Sequence, residues 1–290
     1  MKKKLSGVGV ALITPFREDK LLDFSAMEQM LDFVALGGVD FLVILGTTAE
    51  SPTLDADEKR RITFFVTEYN AGKLPVVLGV GGNNTNEVVK AVKAIPDSVD
   101  AVLSVTPYYN KPQQQGLYEH FTAIADASPK PLVLYNVPGR TGVNMTADTC
   151  LRLAEHKNIT AVKEASGDLR QMGYIVRNRP ADFSVLSGDD GLTLAQMAIG
   201  ADGVISVAAN AFPAQFCNMV HAAAKGDFST ATALHLKLLE AFDLLFAEGN
   251  PAGVKAAASL QGLVENVLRL PLIPASETLM NKFKSLNLER

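Results

Sequence analysis

Eight short runs rich in Val, Ile, Leu and Ala recur along the first two-thirds of the chain, starting at Gly7, Phe41, Pro75, Ala101, Pro131, Ile159, Phe183 and Gly203. Each closes on Gly, Pro, Ser, Thr, Asn or Asp, and the starts lie roughly 20 to 34 residues apart. The stretches between them, such as FSAMEQMLDFVALGG and TADTCLRLAEHKN, carry apolar residues at helical spacing. A strand apolar at nearly every position is buried on both faces, so the alternation predicts an α/β protein with a parallel sheet covered by helices. About eight such units in succession suit a closed (β/α)8 TIM barrel better than an open doubly wound sheet. The glycines of GVGGNN from Gly79 have the wrong spacing for a dinucleotide fingerprint, which leaves that stretch as a tight turn. From Asp227 the pattern changes to helices alone, with Leu234, Leu238, Phe242 and Leu245 on one face. The expected division is a catalytic barrel over residues 1–226 and a C-terminal helical extension over residues 227–290, packed on the barrel.

Of the 290 residues, 48% are hydrophobic and 20% charged, enough apolar material for a large core. A formal net charge of −4 offers no broad attraction to phosphates or anionic lipid, so neither nucleic acid nor a membrane is an expected partner. The opening MKKKLSGVGVALITPF imitates a signal peptide poorly, because Pro15 and the charged stretch from Arg17 to Lys20 interrupt it. It reads as a first strand, and the expected location is the cytoplasm. Two cysteines, Cys150 and Cys217, without any CxxC, fit free buried thiols in a reducing compartment. His120, His156, His221 and His235 show no ligand spacing, and no metal is expected.

In a barrel of this kind the reactive side chains lie at the C-terminal ends of the strands. Unusual polar residues fall there repeatedly: Thr47 and Thr48, Tyr108 and Tyr109, Tyr135 and Arg140, Lys163, then Gly188 and Asp189. Lys163 is the most telling, because it interrupts the apolar run ITAVKEAS. An ordinary lysine amine is neutral in roughly one copy in two thousand at pH 7, and desolvation favours the neutral form, which attacks ketones. The resulting iminium is an electron sink that acidifies the neighbouring carbon. The other reading is a strand-end ion pair with a carboxylate such as Glu164. Schiff-base chemistry needs proton shuttling, which the hydroxyls of Tyr135, Thr47 and Tyr109 can supply without a metal. Arg140 offers a planar fork to a carboxylate, or a salt bridge on an exposed loop.

Taken in order, GTTAES at 46–51, TPYYNKP at 106–112, YNVPGRTG at 135–142, VKEASGD at 162–168, LSGDD at 186–190 and GVISV at 203–207 resemble the 4-hydroxy-tetrahydrodipicolinate synthase (dihydrodipicolinate synthase) family. That family belongs to the class I pyruvate-dependent aldolases and lyases, and the resemblance spans nearly the whole chain. It implies a Schiff base between Lys163 and pyruvate, and a proton relay of Tyr135, Thr47 and Tyr109, the last reaching into a neighbouring subunit. It further implies that Thr47 and Thr48 hold the pyruvate carboxylate, that Arg140 holds the carboxylate of L-aspartate 4-semialdehyde, and that the backbone of Gly188 and Ile205 shapes the pocket. No cofactor is implied beyond the covalent Schiff base. The implied assembly is a homotetramer built from tight dimers, serving diaminopimelate and lysine biosynthesis.

Three departures stand out. Ala49 replaces the glycine usual in GTTGE, and NPAGVK at 250–255 lacks the second proline of the usual NPxPVK, which puts the rigidity of that loop in doubt. In lysine-inhibited relatives an interface cleft carries a Ser-Ala pair, two histidines, an Asn, a Glu and a Tyr. Ser51, Asn83, Glu87 and Tyr108 match, but Pro52, Ala56 and Lys59 stand where the Ala and the two histidines would be. A cationic Lys59 disfavours a cationic ligand, so weak or absent inhibition by lysine is expected. Two other readings compete: a sister aldolase acting on N-acetylneuraminate or a 2-keto-3-deoxy-sugar acid, which Arg140 disfavours, and a non-catalytic paralogue, which the retained relay residues disfavour.

Overall fold

The computed structural model describes residues 4–286. Eight strands, β1 (Gly7–Ala11), β2 (Phe41–Ile44), β3 (Val76–Gly79), β4 (Ala101–Val105), β5 (Leu132–Asn136), β6 (Ile159–Glu164), β7 (Ser184–Ser187) and β8 (Gly203–Ser206), close in sequence order into a barrel. Helices follow the strands in turn: α1 (Phe24–Leu36), α2 (Ala56–Asn70), α3 (Thr85–Lys93) and α4 (Gln114–Ala127), then the short α5 (Pro138–Thr141) with α6 (Ala147–Ala154), then α7 (Leu169–Asn178), α8 (Thr193–Ala198) and α9 (Pro213–Ala224). Three further helices follow among the described residues, α10 (Phe228–Phe246), α11 (Ala252–Leu260) and α12 (Glu277–Ser285). All eight apolar runs form strands of a (β/α)8 TIM barrel, as the spacing predicts. Pro75 and Pro131 stand just before β3 and β5, because proline has no amide to give to a ladder.

Contacts gather the chain into two compact units, one holding Pro75–Ile205 with the chain before Val8, the other holding Val8–Leu74 with the chain from Ser206 onward. Within the first, β5 pairs with β6 so that Tyr135 lies opposite Lys163 and Asn136 opposite Glu164, and β6 pairs with β7 so that Glu164 lies opposite Ser187. Side chains alternate between the faces of a strand. Tyr135 and Lys163 therefore share one face, and Asn136, Glu164 and Ser187 share the other. Within the second unit, Gly9 pairs with Phe41, and a Cβ at Gly9 would sit 2.1 Å from the Phe41 ring, so the missing side chain is what lets that ring pack. On α10, Leu238, Phe242 and Leu245 are buried and Leu234 half-buried, matching the predicted face, and Phe216 of α9 meets Phe242 edge-on at 5.9 Å. Each such burial contributes about 1.5–3 kcal/mol.

One device recurs at the N-terminal ends of strands. Asp40, Asp100 and Asp202 directly precede β2, β4 and β8, and their carboxylates accept from the amides of Val8, Val76 and Val185 at 2.7, 2.7 and 2.8 Å. Each aspartate also donates its own amide to the carbonyl of the same valine. Buried backbone donors at the start of β1, β3 and β7 are thereby satisfied, at the face where barrels invest in stability and not in chemistry. Among the described residues no helix is long and apolar enough to cross a membrane.

Candidate active site

Lys163 sits near the C-terminal end of β6, where only 5% of its surface is exposed. Its Nζ lies 4.4 Å from the centre of the Tyr135 ring, itself buried on β5. Among the described residues no hydrogen bond or ion pair engages this ammonium, so the ring face carries its electrostatic support. Gly188, just past β7, donates its amide to the Glu164 carbonyl at 2.8 Å. A Cβ there would stand 3.1 Å from both Cγ and Cε of Lys163 and 2.6 Å from the Ala165 Cβ. The glycine therefore leaves the lysine stem its room. Ile205, on β8, is 1% exposed.

The alternative of a Lys163–Glu164 ion pair fails on strand geometry, since consecutive residues of β6 point to opposite faces. Glu164 instead accepts from Asn136 Nδ2 at 3.0 and 3.2 Å, from Gln171 Nε2 at 3.1 Å and from the Ser166 amide at 2.7 Å. Asn136 in turn accepts from the Met145 amide at 2.9 Å, and Asn144 bridges Asn136 and Gln171. Gly167, at φ +77°, turns the chain so that Asp168 caps α7 by accepting from Arg170 and Gln171 amides at 2.8 and 3.0 Å. The VKEASGD stretch thus does two jobs: Lys163 faces the Tyr135 side of the sheet, and the rest ties β6 to α7.

Arg140 lies exposed on α5. The preceding TPYYNKP loop is strained at two residues without glycine's freedom, Tyr109 at φ +73° and Lys111 at φ +45°. Its backbone is held by Asn83 Nδ2 donating to the Tyr108 carbonyl at 3.2 Å and by the Tyr109 amide donating to the Thr141 carbonyl at 3.4 Å. Tyr109 is 87% exposed. The two threonines belong to the other unit. Thr47 and Thr48 follow β2 in a single 3-10 turn (Thr47–Ala49) with Thr47 exposed and Thr48 buried. The left-handed residues of this turn are Leu45 (φ 55°) and Glu50 (φ 56°). Ala49 stands outside the left-handed region, so it needs no glycine there; its carbonyl accepts from Thr14 Oγ1 at 2.8 Å.

Sequence reasoning missed what holds that turn. Glu50 and Lys255 form a fully buried ion pair at 2.5 Å. Lys255 also donates to the Val267 carbonyl at 2.8 Å, and the second oxygen of Glu50 accepts from the Arg269 amide at 3.0 Å. Burial pulls the Lys255 ammonium down to about 8, against the raising influence of Glu50. Asn250 Nδ2 donates to Thr48 Oγ1 at 3.0 Å. The signal was present, for Lys255 interrupts GVKAAAS much as Lys163 interrupts its own run. Gly253, in place of the family's second proline, lies so close to Leu245 that a Cβ would be 2.3 Å from its carbonyl oxygen; close backbone packing there holds α11.

The expected effector residues divide in the same way. Asn83 meets Tyr108 as above, and Glu87 pairs with Lys90 at 2.8 Å. In the other unit Ser51 donates to the carbonyls of Leu45 and Gly46 at 2.5 and 3.1 Å, and Lys59 is half-buried on α2. Cys150 and Cys217 are buried free thiols, and burial raises both, Cys217 to about 12.

The Dihydrodipicolinate synthetase family model matches residues 4–288. A 4-hydroxy-tetrahydrodipicolinate synthase of Parabacteroides distasonis is 54% identical over 272 residues, covering 93% of this chain and 92% of the relative. The crystal structure of dihydrodipicolinate synthase from Thermotoga maritima superposes with a TM-score of 0.95 at 40% identity, covering 98% of each chain. A monomeric dihydrodipicolinate synthase variant superposes with a TM-score of 0.94 at 40% identity, covering 97% of this chain and 95% of the variant. With its buried strand-end lysine set against a tyrosine ring, and with a match along nearly its whole length, the chain belongs to the dihydrodipicolinate synthetase family.

Proposed function

We propose that this chain is a 4-hydroxy-tetrahydrodipicolinate synthase, a lyase of the class I aldolase type that condenses pyruvate with L-aspartate 4-semialdehyde. The observation that carries the reading is Lys163, buried on β6 with its ammonium against Tyr135 and engaged by no carboxylate among the described residues. Its Nζ attacks the keto carbon of pyruvate, the oxygen leaves as water, and an iminium forms. Loss of a methyl proton gives the enamine, whose carbon bonds to the aldehyde carbon of the semialdehyde while the aldehyde oxygen takes up a proton. The semialdehyde's amine then attacks the iminium carbon, which closes the ring and releases Lys163.

In this reading Tyr135, Thr47 and Tyr109 pass the protons, and Thr47 and Thr48 receive the pyruvate carboxylate. Arg140 receives the semialdehyde's carboxylate, the backbone of Gly188 and Ile205 shapes the pocket, and no metal or cofactor takes part. The 87% exposure and strained backbone of Tyr109 favour a role across an interface between subunits, in a homotetramer of tight dimers in the cytoplasm. Sedimentation measures that assembly, and a monomer with full activity removes Tyr109 from the relay. Lys59 favours weak or absent inhibition by lysine, and a micromolar inhibition constant refutes that.

Borohydride reduction in the presence of pyruvate, followed by intact mass and peptide mapping, tests the central step. The expected product is one reduced pyruvyl adduct, on Lys163. A folded protein that gives none, with pyruvate in excess, makes Lys163 structural and moves the non-catalytic paralogue to first place.

A further inference from the structure

Two grips hold the turn that carries Thr47 and Thr48, and both come from the start of α11. Asn250, just before the helix, donates Nδ2 to Thr48 Oγ1 at 3.0 Å. A hydroxyl whose oxygen accepts from an amide keeps its own proton to give, and Thr48's proton has no acceptor among the described residues although the side chain is only 3% exposed. The direction of this bond therefore makes Thr48 a donor, the polarity an anionic carboxylate requires. The second grip is Lys255, which joins the Glu50 carboxylate at 2.5 Å with both side chains fully buried, while the Arg269 amide takes the other oxygen at 3.0 Å. Glu50 and Leu45 hold left-handed φ values of 56° and 55° on either side of the two threonines. Bends of that kind persist in residues other than glycine only where their surroundings over-determine them.

We infer that Asn250, Glu50 and Lys255 are positioning residues: Asn250 fixes the Thr48 hydroxyl as a donor toward the carboxylate of an α-keto acid, and the buried pair holds the turn in its bent form. The inference rests on the reading of Thr48 as the residue that receives the pyruvate carboxylate.

Asn250→Asp tests it with almost no change of shape. A carboxylate accepts only, so at neutral pH it captures the Thr48 proton, and KM for pyruvate rises roughly tenfold or more with a smaller change in kcat. As pH falls into the range where the new carboxyl protonates, it donates again, and the ratio of variant to wild-type KM shrinks. A KM ratio near one, or a raised ratio that does not move with pH, overturns the inference. If that variant does not fold, a double-mutant cycle of Asn250→Ala with Thr48→Val replaces it: the pair is expected to raise KM no more than Thr48→Val alone, and additive effects overturn the coupling. The wild-type borohydride adduct separates the two levels. No adduct overturns the pyruvate reading and this inference with it, whereas a wild-type adduct with unaffected variants overturns the inference alone.

Discussion

Lys163 and Tyr135 are register partners on adjacent parallel strands, and the lysine's ammonium stands 4.4 Å from the centre of the tyrosine ring. The ring and the hydroxyl of Tyr135 are therefore separable in function. Tyr135→Phe keeps the ring face under the ammonium and removes the hydroxyl proposed to carry protons. The pyruvyl adduct on Lys163 is expected to form still, with turnover lowered by about 10²- to 10⁴-fold. Single-turnover trapping beside steady-state rates measures both, and wild-type turnover in this variant excludes the hydroxyl from the relay.

Gly188→Ala adds one methyl against the Lys163 stem, with 3.1 Å to its Cε and 2.6 Å to the Ala165 Cβ. Gly188 has no left-handed φ, so the penalty is steric crowding of the Lys163 stem. Expected are a folded protein and at least ~10-fold slower adduct formation, since displacements near 1 Å cost about 10²-fold. Adduct formation at the wild-type rate would show that the stem gives way freely.

Lys255→Met leaves the Glu50 carboxylate buried without its cation, and breaking one side of such a pair costs about 3–5 kcal/mol. Urea unfolding measures the loss. Adding Glu50→Gln removes the orphaned charge and is expected to restore much of the stability; a double variant as unstable as the single one would locate the damage in packing instead.

His120 is buried on α4 with Nδ1 2.9 Å from Thr85 Oγ1, and desolvation lowers it from 6.5 to about 4. A depressed folded value means that the unfolded chain takes up the proton first. The stabilising contribution is complete above pH 6.5 and is lost as pH falls toward 4, up to about 3 kcal/mol. His120→Gln removes the titrating group, and its stability across that window is expected to fall less steeply than the wild type's. Parallel curves would assign the acid loss to other groups.

The barrel was legible because strands buried on both faces must be apolar throughout and must end where the chain turns, so eight runs and their breakers mark eight units. Lys163, Tyr135 and Gly188 were legible for the same reason, as polar or small residues at the ends of apolar runs. The Glu50–Lys255 pair was not. Its members lie 205 residues apart in the chain; the apolar run GVKAAAS marks Lys255 as a lysine bound for burial, but nothing local marks Glu50 as anything but a loop carboxylate or names it as the partner. Glu164 invited the opposite error, since adjacency in sequence suggested a partner for Lys163 that alternation on a strand forbids.

The sequence by itself determined the order of strands and helices, the family and the lysine that interrupts a buried strand, because periodicity and short motifs are local properties of a chain. Tertiary structure alone decided which carboxylate meets which lysine, which face Glu164 serves and which way the bond between Asn250 and Thr48 points. Those depend on distances between residues that the chain separates and only closure of the fold brings together.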